Sequence, residues 1–412
     1  MRNSSVWRRL VGVGRSKIRN VNLEADVLVL RVELSRPAGP RCGVCRKPCG
    51  RYDGGRGRRR WRALDLGAMR TYIEAEVGRV NCPEHGVVVE RVPWAEHDSR
   101  FTRAFEDQAA WLAVECSKTA VAALMRIAWR TVGNILTRVA RRVLKPRRRL
   151  AGLRRIGIDE ISFRRGQRYI IVVVDHDSGR LVWAAEGRDE KTLNLFFEAL
   201  GRRRSQRITH VSADGATWIS NAVRRHCPNA VLGMDPFHVV AWATKALDQI
   251  RRDVWNDARS HGQAAHAVSL KRSRWALCKN AEDLSSRQQA KLAWVEKVNQ
   301  PLFRAHLLKE HLRLVFQLPF HEALDLLDQW LDWALESRLE PFVDLAYTIT
   351  NHLDQILVTL DNRLTNALVE AVNTRIRLIT RRAFGFHSSE PLIALAMLSL
   401  GGYRPQLPGR AA

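Results

Sequence analysis

The sequence has 412 residues, 46% of them hydrophobic, enough for two to four folded units that each bury a core. Its 68 lysines and arginines outnumber 42 aspartates and glutamates, a formal charge of +26, so the expected partner is a polyanion and nucleic acid comes first. Met1 to Gly14 carries charge without the apolar run of a secretion signal, and the most apolar stretches, Tyr169 to Val174 and Pro391 to Leu400, are about half the roughly 20 residues of a membrane span. A cytoplasmic protein with no membrane partner is expected. Seven cysteines, an odd number, fit reduced thiols and one metal site better than a disulfide framework.

Residues 1–98 alternate short apolar runs, among them Asp26 to Val32 and Tyr72 to Val77, with Gly, Pro and Arg clusters, and predict a small β-rich module. Within it Cys42-Gly43-Val44-Cys45 and Cys82-Pro83-Glu84-His85 each place two soft ligands at the spacing of a tight knuckle. Two knuckles make one tetrahedral site, so Cys42, Cys45, Cys82 and His85 are the expected ligands of one structural zinc, with Cys49 a possible substitute.

Residues 99–150 turn helical. The helix TAVAALM, a break at Arg126-Ile127-Ala128 and the helix WRTVGNILTRVARR predict a helix-turn-helix. Val121, Leu124, Ile127, Val132 and Ile135 are its expected core, and Arg126, Arg130, Thr131 and Arg138 its expected DNA contacts. The basic run Lys145 to Arg149 is expected to be a phosphate-tracking linker.

Residues 151–240 change period again. IGIDEISF, RYIIVVVDHD and RLVWAAEGR, joined at Arg165-Gly166-Gln167 and Ser178-Gly179, predict three antiparallel strands. A helix over residues 191–200, a strand from His210 to Asp214, a helix from Trp218 to His226 and a strand from Ala230 to Asp235 complete the order β-β-β-α-β-α-β. The unalternated run Tyr169 to Val174 belongs at the centre of the sheet. Residues 241–360 hold one glycine, Gly262, and read as an all-helical insertion rich in tryptophan. In residues 361–412 a last helix, from about Thr365 to Arg382, has an apolar stripe of Val369, Val372, Ile376, Ile379 and Ala383, and a polar face of Glu370, Asn373, Arg377 and Arg381.

Three acids stand where chemistry is expected. Asp159 ends the first strand beside Ile156 and Ile158, Asp214 ends the fourth just before Gly215, and Glu370 opens the last helix. Phosphodiester cleavage needs an activated oxygen nucleophile and a stabilised leaving oxygen, and two divalent ions held by carboxylates supply both. Asp159, Asp214 and Glu370 are therefore the expected catalytic residues and ligands of two Mg2+ or Mn2+ ions. Asp235 and His238 are expected to support them from behind, while Glu160, Asp175 and Asp177 read as turn or surface residues.

The stretches Gly157-Ile158-Asp159-Glu160, Val173-Val174-Asp175-His176-Asp177, Ser212-Ala213-Asp214-Gly215, Asp235-Pro236-Phe237-His238 and Glu370 through Arg381-Arg382-Ala383-Phe384-Gly385-Phe386 resemble, over nearly the full length, the bacterial insertion-sequence transposases of the ISL-three group. That resemblance implies a multidomain α+β protein. A zinc-knuckle module and a helix-turn-helix precede a ribonuclease H-like α/β core with a mixed sheet, and an all-helical insertion stands before the last acid. It implies an Asp159, Asp214, Glu370 triad, with Arg377 and Arg381 gripping DNA phosphate, and a nucleoid-associated enzyme. It also implies magnesium-dependent cleavage and strand transfer on double-stranded DNA, at inverted-repeat ends and target, by a homodimer or larger homo-oligomer. Ala371 stands where the family has glycine, and His85 where a cysteine is usual. A nuclease of the same fold that cuts without joining and a domesticated DNA-binding repressor are the alternatives.

Overall fold

The computed structural model describes residues 3–410 except Arg15, Ala38, Arg165, Gln167, Leu364 and Thr365, and omits the side chains of residues 3–5. Two compact units result: Met1–Lys145 with Ile379–Ala412, and Pro146–Leu378.

In the first unit a short helix, α1 (Asn3–Val11), leads into strands β1 (Lys17–Glu24), β2 (Val27–Glu33), β3 (Gly50–Asp53), β4 (Arg58–Arg62), β5 (Arg70–Glu76), β6 (Arg79–Cys82) and β7 (Gly86–Val89). One sheet has the order β1-β2-β5-β4 and a smaller one β3-β6-β7. The alternation read in the sequence decides which face is buried. Thr71, Ile73 and Ala75 of β5 point inward with Leu28, Leu30 and Trp61, and Trp61 meets Trp94 edge to face at 5.5 Å.

Three helices follow: α2 (Arg103–Glu115), α3 (Lys118–Met125) and α4 (Trp129–Val143). The hydroxyls of Thr102 and Ser117 cap the first two, accepting from the Phe105 and Ala120 N–H groups at 3.2 and 3.1 Å. Arg126, left-handed at φ 53°, ends α3 and turns the chain. Val121, Val132 and Ile135 are buried as expected, but Leu124 is 63% exposed and Met125 is buried in its place. The helix begins at Lys118, and Val121 with Met125, four residues apart, face inward together.

The second unit opens with a turn of helix, α5 (Pro146–Arg149), and then the meander β8 (Arg155–Arg164), β9 (Arg168–Asp175) and β10 (Arg180–Glu186). Two residues of the expected turn between β8 and β9, Arg165 and Gln167, lie outside the described residues. Helices α6 (Glu190–Leu200) and α7 (Arg202–Ser205), strand β11 (His210–Ala213), helix α8 (Thr217–His226) and strand β12 (Val231–Met234) follow. The sheet order is β10-β9-β8-β11-β12, antiparallel among the first three and parallel from β8 through β11 to β12. Ile170 to Val174 of β9 are fully buried, because helices cover both faces of a strand with no polar alternation.

Next come α9 (Pro236–Ser260), α10 (Ala264–Lys271), α11 (Arg274–Cys278), α12 (Ser286–Val298), α13 (Gln300–Val315), α14 (Phe320–Glu336), α15 (Glu340–Asn351) and α16 (Leu353–Asn362). They share a core of their own around the fully buried Trp330, whose indole N–H donates to the Leu308 carbonyl at 2.8 Å. Helix α17 (Ala367–Arg382) carries Glu370, and the expected starting residue Thr365 lies outside the described residues.

The last helix, α18 (Ser389–Leu400), belongs with the first unit. A Cβ on Gly133 of α4 would stand 3.4 Å from Pro391, so that glycine lets α18 approach. Beneath the same contact the Lys118 ammonium sits 3.2 Å from the Trp129 ring centroid and 5.0 Å from that of Phe386. Burial pushes its pKa down to about 8. Since the unfolded lysine titrates near 10.4, the unfolded state holds the proton more tightly, and folding stability rises with pH between those values. The melting-temperature difference between the wild type and Lys118→Met is expected to shift in favour of the wild type as pH rises from about 7 to 9.5. Thermal melts followed by circular dichroism measure this, and a pH-independent difference refutes the assignment.

Candidate functional site

Strands β8 and β11 are parallel neighbours paired His210 with Arg155, Val211 with Ile156 and Ser212 with Gly157. Two residues further along each strand stand Asp214 and Asp159, on the same face as Ser212 and Gly157 because side chains alternate with a period of two. Like charges placed there repel one another. The electrostatics follow. Burial pushes the Asp159 carboxyl up to about 6, with Asp214 and Glu160 adding to the shift.

Gly157 has a steric reason to be glycine. A Cβ there would lie 2.3 Å from Val369 of α17, 2.9 Å from the His176 ring and 3.2 Å from the Ser212 hydroxyl. Helix α17 thus rests directly on the sheet, with Glu370 close enough to feel the charges of Asp235 and His238. Burial raises the Glu370 carboxyl, Asp235 raises it further, and His238 and Arg377 act against that shift. His238 stands at the meeting point. Its Nδ1 is 3.1 Å from Asp235, which holds its pKa above the usual range, assisted by Asp214 and Asp159.

The other acids of this region have different duties. Asp175 is buried and accepts from the Asp177 N–H at 3.2 Å and from the Ser178 hydroxyl, fixing the β9–β10 turn. Asp177 pairs with Arg155 at 2.7 Å. Glu160 pairs with Arg188 and keeps one buried oxygen without a partner.

The apolar stripe of α17 is buried as its periodicity predicts, and Arg377 and Arg381 are exposed. Asn373, expected on the polar face with them, is 3% exposed and donates to Asp159 Oδ2 at 2.7 Å. It flanks Val369 and Ile376 by one helical turn each, so it falls at the edge of the buried stripe.

In the first unit the two knuckles meet. Cys42, Cys45, Cys82 and His85 place their ligand atoms within 4.8 Å of one another, the one such set of three or more among the described residues. A tetrahedral ion with arms of about 2.3 Å to sulfur spaces its ligands roughly 3.8 Å apart. The Cys45–Cys82 sulfurs are 3.7 Å apart, and His85 Nδ1 is 3.6 and 3.9 Å from the sulfurs of Cys82 and Cys42. His85 also pulls the Cys82 thiol down to about 6, toward the thiolate a metal takes. Cys49 stands outside the set and donates to the Lys47 carbonyl at 3.4 Å. The donor set fits zinc, and this module carries a structural zinc site.

In the helix-turn-helix, Arg130 is exposed and Thr131 half-buried on the first turn of α4. Arg126 donates to the Ala68 carbonyl at 2.9 Å, and Arg138 to Glu106 at 2.7 Å. Glu106 is fully buried, so Arg138, expected to reach DNA, is turned inward to neutralise it. Asn134 and Arg141 share the exposed face of α4 with Arg130, at helical spacings of four and eleven that the sequence offered and that went unused.

Comparison with known proteins agrees along the whole chain. A family model described as transposase matches residues 156–396, one for the helix-turn-helix domain of transposase family ISL3 matches 90–140, and a zinc-finger model of the IS204/IS1001/IS1096/IS1165 transposases matches 38–85. The sequence is 51% identical to the transposase for insertion sequence element IS1557 of Mycobacterium tuberculosis, over 100% of this chain and 98% of that protein. It is 29% identical to the transposase for insertion sequence element IS1001 of Bordetella parapertussis, over 81% of this chain and 82% of that one.

Two outcomes are expected. Purified protein contains one zinc per chain by elemental analysis, and chelation releases the 38–85 region to rapid hydrogen exchange; unchanged protection sinks the zinc assignment. Gly157→Ala forces α17 off the sheet and costs about 1–3 kcal/mol of stability, measured by denaturant unfolding. A neutral result there means the helix does not lie as described.

Proposed function

This chain belongs to the ISL3 family of insertion-sequence transposases, and from that premise we propose that Asp159, Asp214 and Glu370 are its catalytic triad. The observation that carries the reading is the register of two adjacent parallel strands, whose last pair lies two residues before Asp159 on one and Asp214 on the other, beneath the helix that bears Glu370. A mixed sheet of order β10-β9-β8-β11-β12, with its first three strands antiparallel, supports a ribonuclease H-like core.

The donor set is oxygen only, partly buried and crowded with like charge, which suits Mg2+ or Mn2+. The ligand atoms of the three acids are not gathered as tightly as those of the zinc set. Two such ions supply an activated nucleophile and charge stabilisation for the leaving oxygen. Asp235 holds His238 beside the acids, so a fixed partial positive charge balances the pocket. Arg377, seven residues after Glu370 on an exposed helix face, grips the DNA backbone, and Arg381 extends that contact. Arg130 and Thr131 open the helix that enters the groove, where base edges are read. The enzyme cuts at the inverted-repeat ends of its element and joins the freed 3′ ends to target DNA. It works as a homodimer or larger assembly on the nucleoid. No helix among the described residues is long and apolar enough to cross a membrane.

The test is cleavage and strand transfer on a DNA fragment carrying the element's end, in Mg2+, for the wild type and for Asp159→Ala, Asp214→Ala and Glu370→Ala. Each variant is expected to bind the end within about twofold of the wild type and to lose at least ~1,000-fold in rate. A wild type that cuts without joining makes the protein a nuclease; one that only binds makes it a repressor.

A further inference from the structure

The side of α17 that faces the sheet contains two amides where packing alone would take apolar residues. Asn366, which immediately precedes the helix, is 1% exposed, and Asn373 3%. Burying an amide costs on the order of 1–3 kcal/mol unless its hydrogen bonds are remade inside, so their presence calls for a purpose beyond filling space. Their positions relative to Glu370 are regular. Residues 366, 370 and 373 follow at i, i+4 and i+7, which puts all three on one stripe of the helix.

Each amide ties α17 to one of the acid-bearing strands. The Asn366 side-chain carbonyl accepts from the Ser212 hydroxyl on β11, the strand that leads to Asp214. Its backbone N–H donates to Asp235 at 3.2 Å, and its backbone carbonyl accepts the Glu370 N–H at 2.8 Å. The Asn373 amide donates to Asp159 Oδ2 on β8 at 2.7 Å. Glu370 is therefore held between two fixed points. One buried atom of each amide, Asn366 Nδ2 and Asn373 Oδ1, has no hydrogen-bond partner among the described residues, so the bonds each amide does make are made toward the acid-bearing elements.

We infer that Asn366 and Asn373 are positioning residues for the triad: together they set Glu370 against the two aspartate strands, and Asn373 orients the Asp159 carboxylate. The inference rests on the reading of Asp159, Asp214 and Glu370 as metal ligands. A neutral N–H donor suits this post: with Oδ1 accepting the Glu160 N–H at 2.7 Å and Oδ2 the Asn373 amide, the carboxylate is aimed without being neutralised, and each oxygen keeps a lone pair for a cation. A lysine or arginine there would neutralise Asp159 and compete with the metal.

The full-length variants Asn373→Leu, Asn373→Ser and Asn366→Ala test it. Leucine keeps the branching and heavy-atom count of the amide, and the unpartnered atom it relieves offsets the donor it takes from Asp159 Oδ2, so the melting temperature in chelator is expected to stay near that of the wild type. Mn2+ binding, followed by loss of the free-ion signal in electron paramagnetic resonance, should weaken by about 10- to 100-fold. The Mg2+ concentration for half-maximal cleavage should rise by the same factor, while end-DNA binding in Ca2+ stays within about twofold, as expected of a residue that acts through the metal. Asn373→Ser, which keeps a hydroxyl donor, should fall between the wild type and leucine, and Asn366→Ala should shift both metal curves in the same direction. Unchanged metal curves overturn the inference, as does an activity loss that merely tracks a lower melting temperature. A wild type that cleaves in chelator overturns the triad itself, and is told apart because it needs no variant.

Discussion

Like-charge crowding on one face of a five-stranded sheet is the constraint around which the second unit is arranged. Parallel pairing of β8 with β11 ends two residues before Asp159 and Asp214, each acid stands within reach of the other's charge, and burial has already pushed Asp159 up to about 6. Left alone, such a face favours protonation or local opening. The surrounding residues resist both. Gly157 removes the side chain that would hold α17 away, the amides on either side of Glu370 tie that helix down, and Asp235 fixes a histidine where its charge offsets the acids. None of these contacts contributes much by itself, yet each fails if the helix moves by the width of a methyl group.

The rest of that unit can be read as support for this geometry. Five consecutive apolar residues of β9 are buried, although β9 stands second in the sheet, beside the central β8, and not at its centre as expected; covered on both faces, it packs firmly against the strand that bears Asp159. Thr359 of α16 donates to the Met234 carbonyl at 2.7 Å, which joins the end of the helical insertion to the strand just ahead of Asp235. The insertion's core also takes in Met234 at the end of β12, so its helices pack onto the sheet just ahead of Asp235.

Much of this was legible in the sequence, because the signals were local. Ligand spacing within each knuckle, strand runs that end in an acid and a glycine, and the apolar stripe of α17 all lie within a few residues of chain. What escaped detection depended on distant partners. Arg138 looks like a groove contact until Glu106 is found buried beneath it. Asn373 sits on a face shared with arginines until β8 is placed against it. Leu124 and Met125 exchanged places because both lie one turn from Val121, at i+3 and i+4, and only the packing around the helix decides between them. The membership of residues 379–412 in the first unit has no sequence signal, since α4 and α18 are joined only by packing.

That packing bears on the order in which the protein is made. Helix α4 of the helix-turn-helix is translated early, but Pro391, against which Gly133 rests, and Phe386, which helps enclose Lys118, emerge only after the entire second unit. At ~5–20 residues per second the delay is on the order of tens of seconds. Throughout it a nascent chain carries a DNA-binding unit with one flank uncovered. A truncated product that stops before α18 is left in that state permanently, with Gly133 and Lys118 lacking the residues that cover them.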